Sequence, residues 1–453
     1  MARRHWTRRE TLQGAAAAVT AVACSPARST GGDTSPTPGV VDTVVFIMME
    51  NRSFDHWFGA RALLEGAAED GLATTMSNTA SDGTVVTPFA STDPCLTDPP
   101  HGWTPSHNQW NEGKNDGFVT EYAASSGTDG SGIMAYQTRA DVPISWALAD
   151  AYAHCDRYHC ALLGPTWPNR IYAHAGGDES MTSNKVPEEG LYTLPTIWTM
   201  ADAAGVKATY YYGDVPFVAI FKDTYNTDRC KIVDDFFWDA EKGQLPPITW
   251  LDPAFAYNDN HPPKHPALGE MFLASVYEAL VASPQWKNML VIITYDEHGG
   301  FFDHVAPPTT DDDDAADGFG QLGFRVPCIL VGPWVKQGVQ STVFNHGSWL
   351  KLVCELNGIE PWTARIAGSN SLAEVLDTDR MATGIPLDPV TLPAFSIDEA
   401  TLAEQCDGGN DVTDVALMQF ADRAIARGFP VRLDRSEVAA PFLAQQRKRG
   451  LIG

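Results

Sequence analysis

The stretch VDTVVFIMMEN at residues 41–51 is an almost unbroken β-branched and apolar run that ends in a carboxylate and an amide. Such a run is typical of a buried strand in a parallel sheet. The stretch NMLVIITYDE at residues 288–297 repeats the pattern and ends in two carboxylates. Because ligands gather at the carboxyl ends of strands in open α/β sheets, we expect both polar endings to lie at one edge.

Helical and strand patterns alternate along the rest of the chain. Residues 144–153 and 267–282 have helical patterns, and residues 208–212 and 326–331 predict further strands. This alternation predicts the α/β class, with a mostly parallel sheet covered by helices on both faces. Residues 72–133 are rich in Thr, Asp, Gly, Pro and Trp and predict a loop-rich cap over the sheet end.

Residues 1–24 resemble a twin-arginine export signal. Arg8 and Arg9 are followed by a small, apolar stretch that is too short to span a membrane. Cys24 ends a loose lipoprotein cleavage box, so a lipid anchor at this residue is an open alternative. Residues 25–39 are rich in Ser, Thr, Pro and Gly and predict a flexible tether. We therefore expect export by the twin-arginine pathway, to the medium or to the cell envelope.

Composition and charge narrow the partners. The chain has 453 residues and a formal net charge of −26 without a basic stripe, which argues against a nucleic-acid partner and makes any membrane contact transient. We expect one large folded domain at residues 40–390, followed by a helical tail at residues 391–453. Seven cysteines follow Cys24 and allow at most three disulfides in an exported protein, with several pairings open.

The two strand endings bring Glu50, Asn51, Asp296 and Glu297 together in this prediction. Carboxylates that share a pocket repel one another and raise their pKa values unless a cation offsets their charge. Their hard oxygens suit Ca²⁺, Mg²⁺ or Mn²⁺, whereas nearby histidines would shift the preference toward Zn²⁺. We therefore expect a divalent metal site. The alternative for either acidic pair alone is a solvated loop.

The segment GPTWPNR at residues 164–170 supplies a candidate nucleophile. Thr166 lies just before Pro168, a residue suited to the first turn of a helix, where amide groups can hold a phosphate. Metal coordination lowers the pKa of a hydroxyl, so we expect Thr166 to attack phosphorus as an alkoxide and to form a phosphothreonine. The alternative role for Thr166 is a helix N-cap.

Seven strings occur in order along the chain and carry a family resemblance. They are MMENRSFDHWFG (48–59), DGFV (116–119), GPTWPNR (164–170), LPPITWLDP (245–253), NHPPKHP (260–266), YDEHGGFFDHVAPP (295–308) and LGFRVPCILVGPW (322–334). The sequence resembles the family of bacterial phospholipases C, plant non-specific phospholipases C and acid phosphatases. The likeness extends over roughly residues 42–350.

This resemblance implies an alkaline phosphatase-like fold, a three-layer sandwich with the site at the carboxyl edge of the sheet. It implies a phospholipase C that hydrolyses the phosphodiester of phospholipid head groups, of the phosphatidylcholine type, through a phosphothreonine. The alternatives are an acid phosphatase acting on phosphomonoesters and a non-catalytic phosphate-binding surface protein. Large bacterial relatives carry C-terminal domains beyond the catalytic part, so we do not expect functions that depend on them, such as membrane lysis. The implied metal ligands are Glu50, Asn51, Thr166, Asp296 and Glu297.

Histidines complete the site that the resemblance implies. His261 matches a position that contacts phosphate, and either His101 or His107 matches another. His304 follows the acidic pair and is assigned the proton for the leaving alkoxide, with His298 and His346 as competitors. The implied catalytic set is therefore Thr166, His261 and His304. The implied substrate-binding set is Asn51, His101, His107 and His298.

Aromatic residues lie beside these motifs. They predict either an apolar mouth that holds choline by cation–π contact or ordinary core positions. They are Trp57, Phe58, Trp103, Trp110, Trp167, Phe301 and Phe302.

Overall fold

The computed structural model describes most of the chain after the N-terminal segment. The described residues are 39–185, 191–222, 224, 229–398, 406, 415–432 and 434–452. They all belong to one compact unit, Pro36–Gly453. The predicted export signal, the Cys24 anchor and the tether up to residue 38 lie outside the described residues.

The strands differ widely in length, and the two longest lie in the two apolar runs at residues 41–51 and 288–297. Both β1 and β11 have seven residues and are buried along their whole length. The strands are β1 Thr43–Met49, β2 Asn78–Thr79, β3 Val85–Val86, β4 Phe89–Ala90, β5 Ala135–Tyr136, β6 Ala153–Cys155, β7 Tyr158–His159, β8 Ala208–Tyr212, β9 Cys230–Ile232, β10 Ile248–Leu251, β11 Met289–Tyr295, β12 Cys328–Val331, β13 Gly338–Gln340 and β14 Phe344–Asn345.

Within the described residues, eight strands form the central sheet in the order β13-β6-β12-β11-β1-β10-β8-β9. All neighbouring pairs are parallel except those of β12 with β11 and β6, so β12 runs against the rest. The predicted α/β fold with a mostly parallel sheet is confirmed. Register pairs Met49 with Tyr295, which places the residues that follow the two strands side by side.

Helices surround the sheet in two packed groups. One group contains α4, α7 and α8, and the other contains α5, α6, α9 and α10. The helices are α1 Ala60–Glu65, α2 Trp103–Trp110, α3 Phe118–Ser126, α4 Pro143–Ala151, α5 Thr166–Ala175, α6 Ile197–Ala203, α7 Val233–Lys242, α8 Pro266–Ala282, α9 His346–Asn357, α10 Ala364–Gly368, α11 Thr378–Thr383, α12 Val415–Ala426 and α13 Arg435–Arg449.

A disulfide ties the segment before α2 to the C-terminal part of the chain. It joins Cys95 to Cys406 with a Cα–Cα distance of 5.4 Å, which is ordinary for this bond. Five further cysteines in the described part of the chain are buried and lie outside this disulfide. No helix in the described ranges is both long enough and apolar enough to cross a bilayer.

Candidate active site

Glu50 and Asn51 directly follow β1, the strand at the centre of the sheet. The Glu50 amide donates to the carbonyl oxygen of Asp259 (2.8 Å), and the Asn51 amide donates to Oδ1 of Asp296 (3.0 Å). Asn51 has a left-handed backbone (φ 58°), which Asn tolerates better than most residues. A Cβ on Gly299 would lie 2.1 Å from the Asn51 carbonyl oxygen. The two strand ends are therefore so close that only glycine fits at position 299.

Asp296 and Glu297 follow β11 and are fixed by backbone hydrogen bonds. The Asp296 amide donates to the carbonyl oxygen of Met49 (3.1 Å), and Oδ1 of Asp296 accepts the Glu297 amide (2.8 Å). Oε2 of Glu297 accepts the Gly299 amide (2.7 Å). Nε2 of His346 lies 2.7 Å from the Asp296 carbonyl oxygen and donates to it. His346, proposed from the sequence as a competitor for proton donation, therefore supports the backbone of the site.

Arg170, at the centre of the carboxylates, is a residue that the sequence reasoning did not assign. Its guanidinium contacts Glu50 Oε1 (2.9 Å), Asp252 Oδ1 (3.0 Å) and Asp296 Oδ2 (3.3 Å). Arg170 and Asp252 are fully buried. A signal was present, because Arg170 closes the GPTWPNR string and Asp252 lies in LPPITWLDP. Arg170 therefore links three of the family strings through one side chain.

Thr166 is the first residue of α5 and lies four residues before Arg170. Side chains four apart share a helix face, so Thr166 is on the face that Arg170 directs toward the carboxylates. Asn169 shapes the approach to this helix, since its Nδ2 donates to the carbonyl oxygens of Gly164 (3.0 Å) and Pro165 (3.1 Å). Pro165 holds the N-cap position, so the alternative that Thr166 is the cap is wrong.

Burial perturbs all three acidic groups at the strand ends. Desolvation raises the pKa of Glu50 well above its usual value, with repulsion from Asp296 adding to the effect and Arg170 opposing it. Desolvation likewise raises the pKa of Asp296 to about 7 and that of Glu297 to about 6. The net upward shifts show that contacts with the nearby cations do not offset the loss of hydration at these carboxylates.

Two oxygens at this edge are buried without a hydrogen-bond partner among the described residues, Oδ1 of Asn51 and Oε1 of Glu297. Leaving a buried oxygen unpaired costs on the order of 1–3 kcal/mol. Both are hard donors, and they lie beside the carboxylates of Glu50 and Asp296. The donor set therefore fits a divalent metal ion that prefers oxygen ligands. Its identity does not follow from these donors.

His101, His261 and Asp98 form a second donor group next to these oxygens, with ligand atoms within 4.8 Å of one another. Nε2 of His101 lies 3.2 Å from Asn51 Nδ2 and 3.8 Å from Glu297 Oε1. Burial opposes charging of His101, but Glu297 and Asp98 outweigh it and raise its pKa to about 9. Burial lowers the pKa of His261. A cationic and a neutral imidazole can thus face one anionic ligand.

His107 and His298 lie outside this group of three, although Nδ1 of His298 is 3.3 Å from Glu297 Oε2. Nδ1 of His107 donates to the Trp103 carbonyl oxygen (2.8 Å), and it is His101 that reaches Asn51. His298 is buried, with Nε2 2.8 Å from Gln109 Oε1. These contacts place His107 and His298 in supporting positions.

His304 lies in a separate buried ion cluster. Its Nδ1 is 2.7 Å from Asp55 Oδ2, and its Nε2 is 3.1 Å from Asp70 Oδ1. Arg325 contacts Asp55 Oδ1 (3.1 Å) and Asp303 Oδ1 (3.0 Å) in the same cluster. Both ring nitrogens of His304 are therefore engaged away from the strand-end oxygens. We call these five residues the Arg325 cluster.

The predicted aromatic residues divide by exposure. Trp103 and Trp110 are partly exposed, and the other five are buried in the core. A Cβ on Gly164 would lie 3.4 Å from the Trp103 ring, which places that indole against the backbone two residues before Thr166. The indole also packs on the His107 ring, with centroids 4.5 Å apart. Trp103 is therefore a partly exposed aromatic side chain that lies against the backbone two residues before Thr166.

Comparison with known proteins assigns the sequence of this chain to a family. Residues 41–360 match the Phosphoesterase family. Phospholipase C A of Mycobacterium tuberculosis is 32% identical over 418 residues, which cover 78% of this chain and 80% of that protein. Non-specific phospholipase C6 of Arabidopsis thaliana is 28% identical over 430 residues, which cover 85% of this chain and 79% of that protein.

A more distant likeness exists among solved structures. Murine ectonucleotide pyrophosphatase/phosphodiesterase 5 aligns with 52% of this chain and 95% of its own, at 10% identity and a TM-score of 0.37.

Proposed function

This chain belongs to the phosphoesterase family, and we propose that it is an exported phospholipase C that cleaves the phosphodiester of a phospholipid head group. The observation that carries the proposal is the placement of Thr166 one helical turn from Arg170, whose guanidinium contacts the carboxylates of Glu50 and Asp296. A hydroxyl nucleophile and an oxygen-rich cation site thus share one edge of the sheet.

The residues that would hold the metal are Glu50, Asn51, Asp296, Glu297 and Thr166. A bound divalent ion would lower the pKa of the coordinated hydroxyl and offset phosphoryl charge. Arg170 holds one oxygen each of Glu50 and Asp296 in place, and the other oxygen of Asp296 accepts two backbone amides. The second oxygen of Glu50 and the unpaired oxygens of Asn51 and Glu297 then remain for coordination. This arrangement accounts for the unpaired oxygens of Asn51 and Glu297.

The reaction has two displacement steps. In the first, Oγ of Thr166 forms a bond to phosphorus, and the bond from phosphorus to the diacylglycerol oxygen breaks. The leaving alkoxide keeps the electron pair and takes a proton. In the second, water attacks the phosphorus of the diester that now joins Thr166 to the head-group alcohol. The bond from phosphorus to Oγ of Thr166 breaks, the phosphorylated alcohol leaves, and the Thr166 hydroxyl regains a proton.

We assign His101 to the phosphoryl oxygens and to the leaving alkoxide as proton donor, and His261 to accept the proton of the Thr166 hydroxyl. Both rings donate through Nδ1 to a backbone carbonyl, His101 to Pro99 and His261 to Pro262. The raised pKa of His101 keeps a proton on its Nε2, whereas the lowered pKa of His261 leaves its Nε2 as an acceptor. The contacts of His304 with Asp55 and Asp70 leave it no free ring nitrogen for the leaving group, so we move the proton-donor role from His304 to His101.

We propose Trp103 as the aromatic surface that accepts a quaternary ammonium head group. Its indole is partly exposed and lies against Gly164, close in the chain to Thr166. Carboxylates at the strand ends add a negative field that favours a cationic head group. A phosphodiester of choline therefore fits this edge better than a phosphomonoester.

Substrate comparison tests the proposal. The purified protein is assayed with Ca²⁺, Mg²⁺, Mn²⁺ or Zn²⁺ on para-nitrophenyl phosphorylcholine, para-nitrophenyl phosphate and phosphatidylcholine vesicles. We expect the diester to be cleaved fastest and the vesicles to release diacylglycerol. Cleavage of the monoester alone would identify a phosphatase, and cleavage of none would identify a binding protein. Trp103→Ala should raise KM for the choline diester alone, whereas the exposed Trp238→Ala serves as control.

We propose that the N-terminal segment directs twin-arginine export. The support is the arginine pair followed by a short apolar stretch. A reporter fused to residues 1–40 should lose export when Arg8 and Arg9 are both replaced by Lys, and continued export would reject the pathway. Mass spectrometry of the mature N-terminus shows whether Cys24 carries a lipid.

A further inference from the structure

The first turn of α5 offers few backbone donors. Thr166 and Trp167 have amide groups that no helical carbonyl can accept, because the first N–H groups of any helix lack such partners. Pro168 has no N–H, and the Asn169 amide donates to the Pro165 carbonyl oxygen at 3.5 Å. The helix of ten residues therefore begins with two amides that need an acceptor from elsewhere.

A distant side chain supplies that acceptor to one of the two amides. Oδ1 of Asn184 accepts the Trp167 amide at 2.9 Å, although the two residues are separated by 17 positions. Pro165, at the N-cap position, has no side-chain acceptor to offer. Among the described residues, no hydrogen bond takes the amide of Thr166 itself.

A hydrogen bond at Lys185 and a buried residue, Asp178, position the segment that carries Asn184. Asp178 is fully buried after the end of α5. The hydroxyl of Tyr192 donates to the carbonyl oxygen of Lys185 (2.9 Å) from the other side. The contact between Asn184 and α5 is therefore part of the folded structure and places an uncharged amide oxygen one residue from the proposed nucleophile.

The presence of Asn rather than Asp at position 184 bears on phosphate binding. Asn and Asp are about equally good acceptors for a helix start, and the charge of Asp interacts more favourably with the helix dipole. Helix stability alone therefore gives no reason to prefer Asn. A carboxylate at this point would stand close to the phosphoryl group during attack by Thr166 and repel it.

We infer that Asn184 is a positioning residue for Thr166. It satisfies the Trp167 amide without adding charge, fixes the first turn of α5, and leaves the Thr166 amide as the donor for a phosphoryl oxygen. The inference rests on the proposed function, because it takes Thr166 as the nucleophile. It adds a neutral acceptor as a requirement for binding an anionic phosphoester.

Asn184→Asp keeps the acceptor oxygen and adds one negative charge. We expect an unchanged or higher Tm, together with at least a tenfold rise in KM for para-nitrophenyl phosphorylcholine. The rise should be larger for the dianionic para-nitrophenyl phosphate, because repulsion scales with charge. Asn184→Ser should retain more activity than Asn184→Ala, since the hydroxyl still accepts a hydrogen bond. Thr182→Asp adds the same charge at an exposed position of the same segment and should leave both KM values nearly unchanged.

Binding of inorganic phosphate, measured by calorimetry on the metal-loaded protein, gives a readout independent of turnover. Asn184→Asp should weaken this binding at least tenfold. Wild-type KM values and wild-type phosphate affinity in Asn184→Asp would show that Asn184 only caps the helix, and the inference would then be wrong. Absence of turnover in the wild-type protein would instead reject the proposed function, while the phosphate measurement would still decide the role of Asn184.

Discussion

Two buried ionic groups in this molecule come from the same two sequence strings, yet they differ in how fully their atoms are paired. MMENRSFDHWFG and YDEHGGFFDHVAPP contribute Glu50 and Asp296 to the strand-end site, and Asp55 and Asp303 to the Arg325 cluster. Each group is organised around one buried arginine. The two groups therefore have nearly the same sequence context and differ in how many of their side-chain atoms are hydrogen-bonded.

Pairing is complete in the Arg325 cluster. Asp303 accepts hydrogen bonds on both oxygens, from the Arg325 guanidinium and from the amides of Val305 (3.0 Å) and Asp55 (3.3 Å). Asp55 bonds Arg325 through Oδ1 and His304 through Oδ2. Every buried side-chain nitrogen or oxygen of Asp55, Asp303, His304 and Arg325 has a hydrogen-bond partner. Such a group stabilises the fold, and the atoms that Asp55, Asp303 and His304 could present to a ligand are already engaged with one another or with Arg325.

Pairing is incomplete at the strand-end site. Four carboxylates, those of Glu50, Asp252, Asp296 and Glu297, face the guanidinium of Arg170 and the imidazole of His101. With all six groups charged, these carboxylates exceed these cations by two charges, and Asp98 beside His101 adds a further negative charge. Unpaired buried oxygens therefore distinguish the strand-end site from the Arg325 cluster, although both groups contain acidic residues.

Replacing the nucleophile should have the largest effect. Thr166→Ala is expected to fold and to lose activity by at least about a thousandfold, because its hydroxyl forms the bond to phosphorus. Thr166→Ser should keep part of the rate, whereas Thr166→Val, which keeps the shape, should behave like Ala. The exposed Thr87→Ala is the control. With para-nitrophenyl phosphorylcholine as substrate, mass spectrometry after acid quenching should find one phosphorylcholine group on the Thr166 peptide, and a fully active Thr166→Ala protein would contradict the mechanism.

Removing metal should have the next largest effect. Dialysis against a chelator is expected to abolish turnover and to lower Tm, because the strand-end carboxylates lose the charge that offsets their repulsion. Readdition of a divalent cation should restore both quantities. Glu297→Gln should weaken metal binding by at least about tenfold, since it removes an anionic ligand. A chelated protein with unchanged Tm and unchanged turnover would exclude a metal in this site.

Matched substitutions of the two buried arginines test whether the two ionic groups differ in function. Arg325→Met should lower the free energy of unfolding by about 3–5 kcal/mol, because it strands Asp55 and Asp303 without a partner. The activity of the remaining folded protein should stay near that of the wild type. Arg170→Met should lower both stability and activity, and added divalent cation should recover part of its stability. Recovery by cation in Arg325→Met would contradict the distinction between the two groups.

The smallest expected effect concerns pH. Burial alone would lower the pKa of His304, but the Asp55 carboxylate outweighs it, and the net pKa is raised. Its stabilising contribution is therefore complete below the unfolded pKa of about 6.5 and is lost as the pH rises through the higher folded pKa. The free energy of unfolding of the wild type should fall relative to His304→Gln over that interval. An equal pH dependence in both proteins would show that His304 is not charged in the fold.

Much of the fold followed from two apolar runs, because a fully buried parallel strand has a composition that a helix or loop seldom shares. The predicted strand at 208–212 coincides with β8, and the predicted helix at 267–282 lies within α8, which begins at Pro266. The pairing of Cys95 with Cys406 could not be derived, since 311 residues separate them and neither lies in a periodic element.

The position of a site residue could be predicted where its side chain directly follows a strand, as for Glu50 and Asp296. The role of Arg170 was not, because a buried arginine has no sequence pattern apart from the carboxylates that surround it in space. The assignment of His304 to proton transfer arose from its closeness in sequence to Glu297. The turn at Gly299 and Gly300 separates the two, and both glycines have left-handed backbones (φ 63° and 74°).

The position of β1 at the centre of the sheet has a consequence for biosynthesis. Its partners β10 and β11 begin at Ile248 and Met289, so the ribosome must add about 200 residues after Met49 before the first of them exists. At roughly 5–20 residues per second, this apolar strand waits on the order of 10–40 seconds without a neighbour. A nascent chain with such a delay needs shielding from aggregation, and we expect its yield in a cell to depend on chaperones that hold the first fifty residues.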